Sequence, residues 1–326
     1  MRRREFIQLI AGMAASWPVA VHAQQRPKWR VGFLSPNSPN PVTAQRMAAF
    51  SDGIGQGGLR EIAEIEMVAR YAHNQLDRLP ALAQELVEQG VRVICAAAPA
   101  AVGAARGATS AIPIVAMDLE SDPVADGWAT SLAHPGSNVT GVFLDLPGFS
   151  AKTLQLLRDA VSGLSKVAVF WLRASGPRQL EAVHSAAATL ELTVEVFEVG
   201  RPSEFEAAFQ AAAKSKASGV LMLSSPLFSA YPQALADLAL INRLPAISIF
   251  PDFAQKGGLI AYGPDLLALF PQASVMTRKL LQGASAADLP IERPTRFKLI
   301  ANLKTASALG LTLPTSILLS ADEVIE

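Results

Sequence analysis

Six residues in one turn-rich stretch, Gly53-Ile54-Gly55-Gln56-Gly57-Gly58, satisfy the G-x-G-x-x-G spacing that cradles a dinucleotide pyrophosphate. That chemistry needs a strand before the glycines and a helix after them, so that backbone N–H groups at the helix N-terminus meet the phosphates. Here the order is reversed. Residues 43–50 read as a helix and residues 62–71 as a strand, so the glycines read as a helix C-terminus and turn. A second cluster, Asp118, Glu120 and Asp122, crowds the end of the apolar run 112–117. Three carboxylates could serve as a hydrolytic pair, as oxygen ligands for a cation, or as contacts for an amine or hydroxyl of a ligand. Ligand contact by Asp122 is the reading adopted, weighed against a plain solvated turn at Asp122-Pro123. His22, His73, His134 and His184 have no ligand-pair spacing, so no histidine metal site is expected. No G-x-S-x-G elbow and no P-loop occurs. No catalysis, no cofactor and no metal are therefore expected.

Four loops that follow predicted strands carry side chains suited to gripping a small polar solute. They contribute Ser35, Asn37 and Ser38; Ala97 and Ala98; Arg173 and Ser175; and Ser225 with Phe228. Hydroxyls and helix N-terminal amides suit a carboxylate, and Arg173 would take one bidentately. Phe228, Phe250 and Phe253 could form an apolar wall, and Leu144 sits where the chain passes between halves. Each Ser/Pro/Asn cluster taken alone is equally an ordinary helix cap.

These loops need a scaffold, and hydropathy supplies it. Strand-like runs at 31–34, 62–71, 91–95 and 112–117 alternate with helical patterns at 43–50, 79–87 and 100–108. The rhythm resumes with strands at 167–171, 193–199, 220–223, 246–250, 259–262 and 297–301. Helices are expected at 152–161, 178–190, 204–214, 235–242 and 266–281. In the last of these, apolar residues at 266, 269, 270, 273, 276 and 280 draw the stripe of an amphipathic helix. Alternation of this kind builds parallel sheets with helices on both faces. There are too many strands for one compact sheet. The expected fold is α/β, with two doubly wound parallel-sheet lobes joined by a hinge. The short β run 142–146 is taken as a crossover between them. Ligands in such folds bind beyond the carboxyl ends of the strands.

The N-terminus reads as an export signal. Arg2, Arg3 and Arg4 precede an apolar stretch, and Val21-His22-Ala23 offers a cleavage site after Ala23. Arg3-Arg4-Glu5-Phe6-Ile7 fits the twin-arginine pattern, with an ordinary Sec signal as the alternative. The stretch is too short and interrupted to span a bilayer. Removal of residues 1–23 leaves a faintly acidic chain of two-domain length, since the whole has 28 basic and 28 acidic residues. Such a balance attracts neither nucleic acid nor anionic membrane. The single cysteine, Cys95, ends an apolar run and reads as a buried small side chain. Asn138-Val139-Thr140 matches a glycosylation sequon, but it reads as a hinge turn.

Longer strings extend the argument. They include Val31-Gly32-Phe33-Leu34-Ser35, Asp77-Arg78-Leu79-Pro80, Ser121-Asp122-Pro123-Val124, His134-Pro135-Gly136-Ser137-Asn138-Val139-Thr140-Gly141, Gly257-Gly258-Leu259-Ile260-Ala261-Tyr262-Gly263 and Asn302-Leu303-Lys304-Thr305. With these the chain resembles, nearly end to end, the ABC transporter substrate-binding proteins related to tryptophan/tyrosine-binding proteins. The resemblance implies a type I periplasmic-binding fold with three crossovers. Lobe one would be 30–142 plus 265–294, and lobe two 143–264 plus 295–326. It also implies a monomeric periplasmic receptor for an amino acid or similar organic solute, with an inner-membrane ABC permease as partner. A ligand-sensing domain for a membrane signalling partner is the alternative use of the same fold. The stretch 171–175 and the pair Ser224-Ser225 depart from the family pattern where ligand would sit. The resemblance therefore leaves the ligand open.

Overall fold

The computed structural model describes residues 27–326 except 57, 58, 60–63 and 145. The expected signal, 1–23, lies outside the described residues, as do Gly57, Gly58 and the first two residues of the strand expected at 62–71.

Strand β1 (Lys28–Ser35) leads to helix α1 (Pro41–Gly55), followed by β2 (Glu64–Tyr71), α2 (Leu79–Glu88), β3 (Val93–Ala97), α3 (Pro99–Ala108), β4 (Ile114–Asp118) and β5 (Val139–Phe143). These strands make a five-stranded sheet in the order β2-β1-β3-β4-β5, and every pairing is parallel. β3 and β4 are almost wholly buried, as strands covered by helices on both faces must be. The β run expected at 142–146 lies three residues earlier in the chain. Residues 139–143 form the fifth strand of this sheet, and helix begins at Leu146. Gly141 permits that edge to close. Its φ is +146°, and a Cβ there would stand 2.0 Å from the carbonyl oxygen of Ala116.

The second half runs α4 (Leu146–Ala160), β6 (Lys166–Trp171), α5 (Arg178–Thr189), β7 (Thr193–Glu198), α6 (Phe205–Lys214), β8 (Gly219–Met222), α7 (Pro226–Ala230), α8 (Pro232–Ile241), β9 (Ala246–Ser248), α9 (Pro251–Gln255) and β10 (Ile260–Pro264). It continues through α10 (Leu266–Leu281), β11 (Phe297–Asn302), α11 (Leu303–Ala308), α12 (Thr315–Ser320) and β12 (Glu323–Ile325). The seven-stranded second sheet has the order β12-β11-β10-β9-β8-β6-β7. It is not wholly parallel, because β10 and β11 pair antiparallel. The reason is the path of the chain. β10 ends toward the first lobe, α10 lies in that lobe, and the returning strand must enter the sheet from the same end.

α10 belongs with the first sheet by its contacts. Ser274 Oγ donates to the carbonyl of Phe50 at 2.8 Å, and Arg278 Nη1 to that of Gly53 at 2.7 Å. A Cβ at Gly53 would lie 2.5 Å from Ser274 Oγ, so this glycine of the G-x-G-x-x-G string serves helix packing. The hinge is tied by main-chain bonds. Phe143 N donates to the carbonyl of Glu292 at 3.0 Å, Glu292 N to Gly141 at 2.9 Å, and Asp265 N to Arg296 at 3.0 Å. Asn138, of the sequon, uses its side-chain amide on the carbonyls of Thr109 and Ile112 at 3.1 and 2.9 Å. Cys95 is fully buried, and burial pushes its thiol well above the usual range. Among the described residues no helix is long and apolar enough to cross a membrane.

Candidate functional site

Parallel strands gather their carboxyl ends at one edge, and here two such edges face each other. Ser35, Ala97 and Asp118 end strands of the first sheet; Trp171, Met222 and Ser248 end strands of the second. The lobes touch across the cleft between them. Asn37 Nδ2 donates to the carbonyl of Pro226 at 3.2 Å and Asn40 Nδ2 to that of Ala230 at 2.9 Å. Arg46 Nη2 donates to the carbonyl of Ser229 at 3.1 Å and to Asp252 Oδ2 at 3.0 Å. Ser224 Oγ donates to Glu120 Oε1 at 2.6 Å, and Arg178 pairs with Asp126 at 2.7 Å.

Local sequence explains why these groups arrive there. Asn40 caps α1 by a capping box, its Oδ1 accepting from Thr43 N while the Thr43 hydroxyl accepts from Asn40 N. The free amide end of that same side chain is what reaches Ala230. Ser225 caps α7, accepting from Phe228 N at 3.1 Å. The last carbonyls of α7, at Ser229 and Ala230, are helix-end acceptors without intrahelical donors; Arg46 and Asn40 of the other lobe satisfy them. Ala98 precedes α3 with φ +77° and ψ 159°, a region almost reserved for glycine. Its N–H is held by the carbonyl of Met117 at 2.9 Å.

Among the described residues, three cavities line this seam. The first, about 80 Å³, has apolar walls from Phe33, Met117, Leu119, Phe250 and Phe270, with Ser35, Asn37, Ala97, Ala98, Arg46 and Glu120 among its polar or strand-end lining. Phe33 sits in an aromatic group, 6.1 Å from Phe50 and 6.5 Å from Phe270 between ring centres. The second, about 210 Å³, lies toward the hinge and is lined by Glu120, Asp122, Leu144, Arg178, Glu292 and Arg293 among others. The third, about 40 Å³, lies between Asn37, Asn74, Ala98, Ser175 and Pro226.

The charged groups are unusual for so apolar a seam. Arg46 is 7 % exposed, and burial pulls its guanidinium below the usual value while Asp252 acts the other way. Asp118 is fully buried. Its Oδ1 accepts from Glu120 N at 2.9 Å and Ser121 N at 3.0 Å, a turn that carries the next acidic residue toward the cleft. Its Oδ2 is buried without a hydrogen-bond partner among the described residues. Burial holds both Asp118 and Glu120 above the ordinary carboxylate range; the charge of Asp126 adds to it at Asp118, and that of Asp118 adds to it at Glu120. Among the described residues no group of three or more His, Cys, Asp or Glu side chains is placed to hold a metal ion.

Of the residues singled out in the sequence, Ser35, Asn37, Ala97, Ala98 and Phe250 meet around the first cavity. Asp122 and Leu144 line the second, and Ser175 the third. Asp122 is exposed and its Oδ1 accepts from Val124 N and Ala125 N, closing its own turn. Ser38 stands beside Asn74, whose amide donates to its hydroxyl at 3.4 Å. Three others are engaged elsewhere. Arg173 is exposed and paired with Glu198, so its fork is already filled. Ser225 is a helix cap, and Phe228 is 2 % exposed against Phe205 in the core of the second lobe. Phe253 is also core, its ring lying where a Cβ on Gly258 would fall.

Arg46, Asp252, Ser229 and Glu120 were not singled out, although Glu120 stood in the acidic cluster. A signal for Arg46 was present. Arg46, Phe50, Gly53 and Ile54 are the buried residues of α1, spaced i, i+4, i+7, i+8. A charge on the apolar stripe of a helix is expensive unless it is paired.

The family model for "ABC transporter substrate binding protein" matches residues 40–325. A tyrosine-binding protein of Clostridioides difficile (strain R20291) is 24 % identical over 276 residues, covering 83 % of this chain and 78 % of that one. An ABC domain from Streptococcus pneumonia, solved in complex with L-Trp, superposes with a TM-score of 0.80 at 22 % identity, covering 91 % of this chain and all of that one. The ligand-free, open structure of a Clostridium difficile substrate-binding protein with adhesive properties superposes at 0.62, with 22 % identity, 91 % of this chain and 99 % of that one covered.

Proposed function

Because the chain belongs to the ABC transporter substrate-binding protein family, we propose that it is the periplasmic solute-binding component of an ABC-type uptake transporter. It captures an amino acid or similar small organic solute in the cleft between its lobes, without catalysis. It acts as a monomer, exported under a signal cleaved after Ala23, and delivers its ligand to an inner-membrane permease. Lobe one is 30–142 with 265–294, and lobe two is 143–264 with 295–326.

The observation that supports this reading best is the first cavity. Its walls are mainly apolar and partly aromatic, its charged lining comprises Arg46 and Glu120, and both lobes contribute to it. That is the composition of a small-ligand site, an apolar chamber with a few placed polar groups. The cavity lies across a seam held by separate hydrogen bonds, which a hinge motion could break and remake. Ser35, Asn37, Ala97, Ala98 and Phe250 are proposed as ligand contacts there, with Asp122, Leu144 and Ser175 at the adjoining cavities. Aromatic amino acids are the first candidates, a choice supported by relatives described as binding tyrosine and L-Trp.

Thermal unfolding of the mature chain against amino acids, their amines and aromatic acids tests the reading. A solute that binds only the folded chain adds about 2.7 kcal/mol at a hundredfold excess over its Kd. A raised melting temperature with the compound recovered unchanged is the expected result. Chemical conversion of the compound, or no shift across the whole panel, would remove this reading.

A further inference from the structure

Among the described residues Glu120 is the charged side chain that lines both the first cavity and the second. The turn built on Asp118 Oδ1 carries it there, and Ser224 of the facing lobe steadies its Oε1 at 2.6 Å. The first cavity's cation is already engaged, since the Arg46 guanidinium donates to Ser229 and Asp252. Behind Glu120 lies the wholly buried carboxyl of Asp118. With Asp118 wholly buried and Glu120 half-buried, the two carboxyls resist ionising together unless a cation joins them.

On the reading that this cleft binds a solute, we propose that Glu120 is its specificity-determining residue: it accepts the ammonium group of a ligand whose apolar, ring-sized body lies against Phe33, Phe250 and Phe270, and ligand capture drives a proton from the Asp118–Glu120 pair into solvent. An ammonium offers three donors to a carboxylate. A charge-assisted hydrogen bond in a dry site is stronger than a neutral one. Ligand class follows from the same arrangement. An amine is accepted, and the corresponding acid without an amine brings a second negative charge against the pair and is refused.

The groups around Glu120 are consistent with this direction. Asp118 stands on its own loop, and Ser224 faces it from the second lobe. Arg46 shares the first cavity but is taken. In the second cavity Arg178 pairs with Asp126, leaving Asp122, Glu292 and Arg293 at the rim. Retained protonation of the pair in the unliganded site agrees with the raised values of both carboxyls.

The experiment uses matched sets on the full mature chain: L-tryptophan, tryptamine and indole-3-propionate, and L-phenylalanine, phenethylamine and 3-phenylpropanoate. Affinity is measured by calorimetry in buffers of differing ionisation enthalpy, which counts protons released. Compounds with the amine are expected to bind at least about a hundredfold more tightly than their deaminated partners, releasing about one proton per ligand near neutral pH. In Glu120→Gln the release should vanish and affinity for the amines should fall about tenfold or more, with the free protein folded and its melting temperature not lowered. Deaminated acids binding as tightly as the amines, or proton release unchanged in Glu120→Gln, overturns the inference and leaves the receptor reading standing. Failure of all six to bind overturns the inference; failure of the wider panel overturns the receptor reading as well.

Discussion

Arg46 on α1 and Asp252 at the start of α9 meet at 3.0 Å across the cleft, although the Arg46 side chain is only 9 % exposed. The same guanidinium satisfies the terminal carbonyl of α7 at Ser229. Closure of the lobes therefore completes a helix end in one with a side chain from the other. Arg46→Met keeps the bulk of the stem and removes the donors. Since Asp252 is 30 % exposed and can turn to water, the loss should be about 1.5–3 kcal/mol, the range for a hydrogen bond to a charged group. Small-angle scattering should show a wider average separation of the lobes, and ligand affinity should drop about tenfold. Unchanged dimensions and affinity would mean that the pair does not hold the lobes together.

Asp118 and Glu120 have folded values raised first by burial, with the charge of Asp126 adding at Asp118 and that of Asp118 adding at Glu120. For a carboxyl raised on folding, stability is fully present below its unfolded value of about 4 and is lost as pH rises through the folded value. Asp118→Asn removes that loss. The variant's melting temperature relative to the native chain should therefore climb by a few degrees as pH is raised from 4 through neutrality. A flat difference across that range, read by circular dichroism, contradicts the burial argument.

Gly141 is required by backbone geometry. With φ at +146° and the Ala116 oxygen only 2.0 Å from any Cβ, Gly141→Ala must pry β5 from β4. A cost of about 3–5 kcal/mol is expected, the scale of severe single substitutions. Denaturant unfolding should show it as a shifted midpoint, and a midpoint within error of the native chain would refute it.

Phe228 and Phe250 are both buried, but only Phe250 borders the first cavity. Truncating either to Ala should cost about 3–5 kcal/mol. The two should part on binding. Phe228→Ala, tested at a temperature where it is folded, keeps its Kd, while Phe250→Ala weakens it. Equal effects of both on affinity would place the ligand deeper in the second lobe than the cavity does.

Long periodic segments were legible in the sequence. Helix 266–281 is found with the expected bounds, because its apolar stripe is broad and Asp265 and Gly283 punctuate it. The strand run 31–34 is found within β1, because continuous apolar residues between polar loops suit a covered sheet. Short pieces were not legible. α7 and α9 have five residues each, less than two helical turns, so no period develops. β12 is three residues whose place comes from pairing with β11.

The site divides in the same way. Types and order along the chain determined that there would be two α/β lobes, which loops would end at a cleft, and that Ser35, Asn37, Ala97, Ala98 and Phe250 were candidates for it. Hydrophobic period and turn chemistry are local properties, and local order carries them. Only the tertiary structure decided that Glu120 rather than Asp122 enters the first cavity, since a turn on Asp118 sets the direction of each. Only it showed the Arg173 fork filled by Glu198 and Arg46 facing Asp252. Those partners are 25 and 206 residues apart. What a charged side chain does is settled by the nearest opposite charge in space, and spacing along the chain carries no record of it.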